Sequence, residues 1–313
     1  MNVYLTSLMH PDTANDFSEV LKNFTLTARS VCAQTDQSFT FFVVCNGAID
    51  IEFTHPSIVY FPVDFPPADR AGGIELRRLD KATKLLAGLL ALTSYDPVYV
   101  HIIDADDWVA SDHNAWLRSR PVHPIGYNFG VGHLVDLSTG RYLRKYGLNR
   151  YCGSTFATNY RTLMDRMGAS ALLGKRLSQQ EIKDSFGEPF LRDLFPCHGY
   201  RELFALTHEA YGQCWRPKIS WVRNTGENIL GQHGDIDFGV PVNTPFLNRY
   251  GLGGQRVLPA ESILGDDWYL LNGVRRYRDL LQSYVGSILA RPRPNLFADH
   301  RWDGRPSAVR GQR

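Results

Sequence analysis

The stretch VYVHIIDADDW, Val98 to Trp108, joins a nearly unbroken apolar, β-branched run to three carboxylates. A short run of this composition predicts a strand buried on both faces, the usual state of a parallel-sheet strand. Ligands of open parallel sheets sit outside the carboxyl ends of the strands, so Asp104, Asp106 and Asp107 point toward the expected crevice. Asp104 and Asp106 lie two apart on an extended backbone and share one side, while Asp107, past the strand end, can turn toward them. Carboxylates this close repel one another, and a divalent cation relieves the repulsion. Oxygen-only ligation favours Mg²⁺ or Mn²⁺ over zinc. The plain alternative is a solvated acidic turn. A calcium-binding EF-hand loop is excluded, because Val109 and Ala115 stand where its sixth-position Gly and twelfth-position Glu belong.

Upstream, short apolar runs alternate with helical periodicity. Val3 to Leu8 predicts a first strand, followed by a helix cap at Asp12 or Asn15 and a buried stripe of Phe17, Val20, Leu21, Phe24, Ala28 and Val31. Phe39 to Val44 predicts a second strand ending at Asn46-Gly47, and Ile58 to Val63 a weaker third. Leu79 through Leu92 predicts a helix with Leu79, Ala82, Leu86, Leu89 and Leu90 facing inward. This alternation implies βαβ units, hence an α/β fold: a Rossmann-type three-layer α/β/α sandwich with a mostly parallel central sheet.

Downstream of residue 110 the pattern loosens. Gly126 to Leu137 predicts sheet strands, Ser154 to Met167 a helix, and Ser178 to Phe195 a helix broken near Gly187-Pro189. Tyr200 to Tyr211 and Asn272 to Ala290 predict further helices, and 212 to 260, punctuated by Gly and Pro, predicts loops. Residues 291–313 hold six Arg against two Asp with Pro292, Pro294 and Pro306, the composition of a mobile tail.

The whole chain has 313 residues, 43% hydrophobic and 21% charged, which excludes disordered, collagen-like and coiled-coil classes. A formal charge of +2 carries no strong field, so neither nucleic acid nor more than peripheral contact with a membrane is expected. The five cysteines are scattered with no C-x-x-C pair, which argues for free thiols rather than a disulfide framework or a paired-cysteine zinc site. The N-terminus lacks a signal-peptide pattern and no long apolar span occurs, so a cytoplasmic protein is expected.

The run Asp80-Lys81-Ala82-Thr83-Lys84, the apolar helix, Tyr95-Asp96-Pro97 and then VYVHIIDADDWV together resemble the nucleotide-sugar half of GT-A glycosyltransferases, including the bacterial glycosyltransferase-2-like proteins. The resemblance covers about residues 1–110 and is looser beyond. It implies a GT-A-like sheet that takes a nucleotide-diphosphate sugar with Mn²⁺ or Mg²⁺ at the D-x-D carboxylates Asp104 and Asp106, with Asp107 a neighbouring candidate. Asp80 and Lys81 then lie where the family touches the nucleoside or diphosphate, and Thr6-Ser7-Leu8 matches the nucleotide-facing segment in position. Residues 1–110 would form the donor half, 111–290 the acceptor half of the same domain. Arg77, Arg78, Lys81 and Lys84 stand on the helix beside the diphosphate, or on an ordinary solvated face.

In the second half, Gly153 and Ser154, within Tyr151-Cys152-Gly153-Ser154-Thr155-Phe156, resemble the segment bordering the donor sugar, though Gly-Ser-Thr is equally a helix cap. His198 is the first candidate for a further metal ligand, ahead of His208 and His233. An inverting transferase needs a carboxylate base for the acceptor hydroxyl. Glu181, Asp184, Glu188 and Asp193 are in range, with Glu188 and Asp184 carried as candidates. Trp215 suits a cleft wall, and Trp221 is either a sugar-stacking ring or, at least as readily, a core residue beside a Gly turn. The acceptor would be a saccharide or lipid-linked hydroxyl, as in cell-surface polysaccharide synthesis. A haloacid-dehalogenase-like phosphatase also pairs a strand with Asp-x-Asp, and Ile263 to Asp267 imitates its later acidic motif. However, its D-x-D closes the first core strand, whereas other strands precede this one. A non-catalytic nucleotide-sugar-binding protein is the third reading.

Overall fold

Alternate side chains of the first strand, β1 (Asn2–Ser7), enter different cores: Val3 and Leu5 join one apolar cluster and Tyr4 the other. The period of two repeats in β2 (Phe39–Asn46), where Phe42 and Val44 face one way and Phe41 and Val43 the other. It repeats again in β4 (Tyr99–Ile102), with Val100 and Ile102 on the first side and Tyr99 on the second. The sheet is therefore covered on both faces. The computed structural model describes residues 1–194, 211–223, 225, 239–255 and 257.

Helix α1 (Phe17–Cys32) covers the Tyr4 side through Phe24, Ala28 and Val31. Its cap is Asp16, not Asp12 or Asn15: the Asp16 carboxylate accepts from the Ser18 and Glu19 amides, which places it one residue before the first helical turn. Helix α2 (Gly73–Ala91) covers the Leu5 side, and all five positions expected to face inward are buried. Gly88 permits the close approach, since a Cβ there would lie 2.7 Å from Val44 Cγ2 and 2.8 Å from Leu5 Cδ1. Gly88→Val is expected to lower stability by about 1–3 kcal/mol in urea unfolding, because α2 must then lift from the sheet or force its neighbours off-rotamer.

Strand β3 (Ile58–Val63) pairs with β2, and β1, β2, β3 and β4 are all parallel. On the far side of β4, the sheet continues with β9 (Phe156–Asn159), β6 (Gly126–Asn128) and β10 (Gly212–Gln213), β9 alone running antiparallel. The order β10-β6-β9-β4-β1-β2-β3 makes this a mixed, mostly parallel sheet in an α/β/α sandwich. The chain steps outward from β1 through β2 to β3, then returns to the other flank of β1 as β4. The crevice between the carboxyl ends of β1 and β4 is thus the topological switch point.

A smaller sheet, β12-β8-β7-β11-β5, stands beside the first. It contains β5 (Trp108–Val109), β7 (Val131–Asp136), β8 (Arg141–Tyr146), β11 (Ile219–Arg223) and β12 (Val240–Pro241). Beyond β5 comes α3 (His113–Arg118). Each sheet draws strands from both sides of residue 110.

Two expectations need correction. Residues 154–167 are not one helix: Phe156–Asn159 forms β9, wedged between β4 and β6, and Asn159 then caps α4 (Tyr160–Arg166) by accepting from the Thr162 amide. Pairing on both edges overrides the helical pattern. Residues 212–260 are not only loops, because they supply β10, β11 and β12. They also supply α7 (Thr244–Arg249), which begins at an Asn243 cap with Pro245 in its first turn. The expected break near Gly187 separates α5 (Gln179–Phe186) from α6 (Glu188–Leu194). The helices expected at 200–211 and 272–290, and the basic tail, lie outside the described residues, apart from Tyr211.

Candidate functional site

Strand β4 delivers the carboxylates to the switch point. Its neighbour β1 holds it to the end, with the Ile103 amide donating to the Leu5 carbonyl at 2.8 Å. The chain then turns, the Asp107 amide donating back to the Asp104 carbonyl at 3.1 Å. Asp104, Asp106 and Asp107 separate into distinct roles within this turn.

Asp104 is partly exposed and pairs with Lys81 of α2, Nζ to Oδ1 at 2.5 Å. Asp106 accepts from the Thr225 hydroxyl at 3.3 Å. Burial, reinforced by the charge of Asp104, pushes the Asp106 carboxyl up to about 6, while Lys81 pulls it back. Asp107 is only 1% exposed and faces inward. Its Oδ2 accepts from Ser154 Oγ at 2.6 Å and Cys152 Sγ at 3.2 Å, and its Oδ1 from the Val222 amide at 3.1 Å. Burial and then the charges of Asp106 and Asp104 raise its carboxyl well above the usual range. Asp107 thus ties the turn to β11 and to the segment before β9, while Asp104 and Asp106 remain partly exposed at the switch point.

The segment around Gly153 and Ser154 is a short 3-10 turn running into a strand, rather than the cap of a helix. The Ser154 hydroxyl accepts from the Asp104 amide at 2.9 Å while donating to Asp107. The Ser154 carbonyl faces His101 Nε2 at 2.7 Å. A carbonyl only accepts, so the proton of this imidazole sits on Nε2. Burial lowers the His101 pKa to about 4, which keeps the ring neutral at pH 7. The apolar strand around it conceals this histidine in the sequence. The available signal was a lone polar side chain three residues before the first carboxylate.

Beneath the end of β1, Asp80 and Lys84 form a buried ion pair on α2, Oδ2 to Nζ at 2.8 Å. Lys84 also donates to the Leu8 carbonyl at 3.0 Å, fixing the chain just after Ser7. Asp80 Oδ1 is buried without a hydrogen-bond partner among the described residues. Burial raises the Asp80 carboxyl and lowers the Lys84 ammonium, in each case against the attraction of the partner. Asp80 therefore lies under the loop expected to face a nucleotide, and Ser7 lies at its edge. Arg78 pairs with Glu75 at 3.0 Å, and Arg77 Nε is buried without a hydrogen-bond partner among the described residues.

The carboxylates considered as bases sit on α5 and α6. Glu181 closes the capping box of α5 with Ser178, Asp184 accepts from Gln180 at 2.8 Å on an exposed face, and Glu188 pairs with Arg192 at 2.9 Å and Lys183 at 3.7 Å. The side chain of Asp193 lies outside the described residues, as do His198, His208 and His233. Trp215 is 68% exposed. Trp221 is partly buried, packs against the Tyr4-side core cluster and stacks on Tyr151 at 6.2 Å with ring planes 8° apart.

No known protein family model matches the chain, and no curated protein does. Among solved structures it is similar to the galactosyltransferase LgtC in complex with donor and acceptor sugar analogues. That match has 15% identity and a TM-score of 0.32, covering 70% of this chain and 86% of the other. An active-site mutant of LgtC matches at 15% identity and a TM-score of 0.31, covering 90% of this chain and 96% of the other.

Among the described residues, no group of three His, Cys, Asp or Glu side chains is placed to hold a metal ion. Two carboxylates are nevertheless enough for Mg²⁺, which keeps several waters and completes its shell with substrate phosphates. Asp104 and Asp106 suit that partial set. No helix among the described residues is long and apolar enough to cross a membrane.

Proposed function

We propose that this protein is a metal-dependent glycosyltransferase that moves a sugar from a nucleotide-diphosphate donor to a hydroxyl acceptor. The observation that carries the reading is the Asp104-Ala105-Asp106 turn at the β1–β4 switch point, braced from behind by Asp107. Asp104 and Asp106 would hold Mn²⁺ or Mg²⁺, which, when bound, stabilises charge on the departing diphosphate as a Lewis acid. Lys81, which pairs with Asp104, would contribute positive charge to the same phosphates. Lys84, anchored by Asp80, holds the Leu8 carbonyl, and with Ser7 the pair would shape the nucleoside end. Gly153 and Ser154 border the donor sugar.

Glu188 and Asp184 remain the proposed bases. Glu188 is preferred because it is half-buried whereas Asp184 is exposed, and its two cationic partners must yield before it accepts a proton. His198 is the proposed further metal ligand and Trp215 the proposed acceptor contact. The acceptor is a saccharide or lipid-linked hydroxyl, with cell-surface polysaccharide synthesis the proposed setting and the cytoplasm the proposed compartment.

The test is thermal unfolding of the full chain with UDP-, GDP-, CMP- and dTDP-sugars, each with Mn²⁺ and with chelator. A donor at one hundred times its Kd adds about 2.7 kcal/mol, which raises Tm by on the order of 5 °C or more. The expected result is a shift with one nucleotide class that chelator abolishes. No shift with any donor, together with Mg²⁺-dependent phosphate release from a simple ester, would overturn the proposal in favour of a phosphatase.

A further inference from the structure

Every residue of strand β4 is buried, yet it carries an imidazole in its middle. His101 is 1% exposed, lies parallel to Phe129 with ring centroids 5.5 Å apart, and packs on His113 at 4.6 Å. An aliphatic side chain would fill this position without the cost of burying a polar ring. The one hydrogen bond the His101 imidazole makes among the described residues is the Nε2–H to the Ser154 carbonyl, since Nδ1 is buried without a partner. That bond fixes the peptide carrying the hydroxyl that accepts from the Asp104 amide and donates to Asp107.

We propose that His101 is a positioning residue for the acidic turn: by holding the Ser154 carbonyl it sets the Ser154 hydroxyl between Asp104 and Asp107, and so the spacing at which Asp104 and Asp106 meet a divalent cation. Only the identity of what the turn binds rests on the glycosyltransferase reading. The relay from His101 through Ser154 to the turn stands on the geometry alone. A hydroxyl rotates freely, so its bridge is only as well aimed as the peptide behind it. The imidazole supplies that aim from the rigid centre of the sheet, and the Phe129 and His113 rings leave it no room to turn. Outer-shell partners of this kind commonly change metal affinity by about 10–100-fold when removed.

The test compares His101→Phe, which keeps a stacked ring without the donor, with His101→Gln, whose amide reaches the Nε2 position. His101→Asn serves as a second loss variant, because its amide falls short of Ser154. In hydrogen exchange, the Asp104 and Val222 amides are expected to exchange at least about tenfold faster in the Phe and Asn variants. The Ile103 amide, bonded to Leu5 within the sheet, is expected to keep its protection. Mn²⁺ affinity, read from the free-ion electron-spin signal, is expected to fall about 10–100-fold and to recover with Gln. In a Ser154→Ala background the His101→Phe effect on Mn²⁺ is expected to shrink below about threefold, the coupling that a relay requires.

Unchanged Asp104 and Val222 exchange, or equal Mn²⁺ losses with and without the Ser154 hydroxyl, would overturn the proposal. A wild-type protein that binds no Mn²⁺, while its loss variants still deprotect Asp104 and Val222, would refute the metal-dependent reading and leave the relay standing.

Discussion

Replacing Lys84 with methionine is expected to destabilise the protein by about 3–5 kcal/mol, the usual result of stranding one member of a buried ion pair. The Lys84 side chain is completely buried, and its ammonium bonds to both Asp80 and the Leu8 carbonyl. Methionine fills similar volume, so the loss is electrostatic rather than a cavity. Asp80 then has neither oxygen partnered by an ammonium, and its carboxyl must take up a proton on folding. The penalty is accordingly largest at neutral pH and shrinks as pH falls toward about 4, where the unfolded chain also carries that proton. Urea unfolding at pH 7.5 and 4.5 measures both the size and the slope. The double variant Lys84→Met with Asp80→Leu is expected to recover most of the loss, because replacing a whole buried pair by apolar groups is often close to neutral. A single variant as stable as wild type would mean that the pair is solvated in solution.

The second large effect concerns function and stability together. Asp106→Asn is expected to reduce metal-dependent donor binding below detection and transfer by on the order of 10³-fold, since a neutral amide holds neither the cation nor its charge. The same change is expected to raise stability at pH 7.5. Asp106 is pushed up to about 6 by burial and by Asp104, so its ionised form is a net cost to the folded state. For a carboxyl raised in this way, the stability contribution is complete below the unfolded value near 4 and is lost as pH rises through about 6. The advantage of the Asn variant should therefore be greatest above pH 6 and vanish near pH 4 in paired denaturant melts. An Asn variant that retains full transfer would end the role of Asp106 as a ligand of the metal that the transfer requires. One that loses turnover without gaining stability would place the strain elsewhere in the turn.

The sheet was legible from sequence wherever a strand is buried on both faces. Phe39 to Val44 and Tyr99 to Ile103 announce themselves because every residue in them is buried, and the leucines of α2 keep helical spacing against them. The strand at Phe156–Asn159 was hidden for a physical reason. Its conformation is imposed by two neighbours that contribute backbone pairing, and its four residues are too few to show a period. The short strands β10 and β12 owe their conformation to partners in the same way. Within the site, local sequence revealed the carboxylates but not their division of labour. Which of three adjacent aspartates turns inward depends on Cys152, Ser154 and Val222, and no spacing within residues 104–107 encodes those partners.

The bracing of Asp107 also has a consequence in time. Its carboxylate closes contacts with residues 45, 47 and 115 positions further along the chain. During synthesis β1 through β4 emerge first and have partners at once, whereas the acidic turn waits for Val222 before its last bond forms. Long-range closures of this kind are late and slow steps. A nascent chain stalled before that point carries the carboxylates without the Val222 bond to Asp107, so the proposed cation site would be complete only after Val222 has emerged.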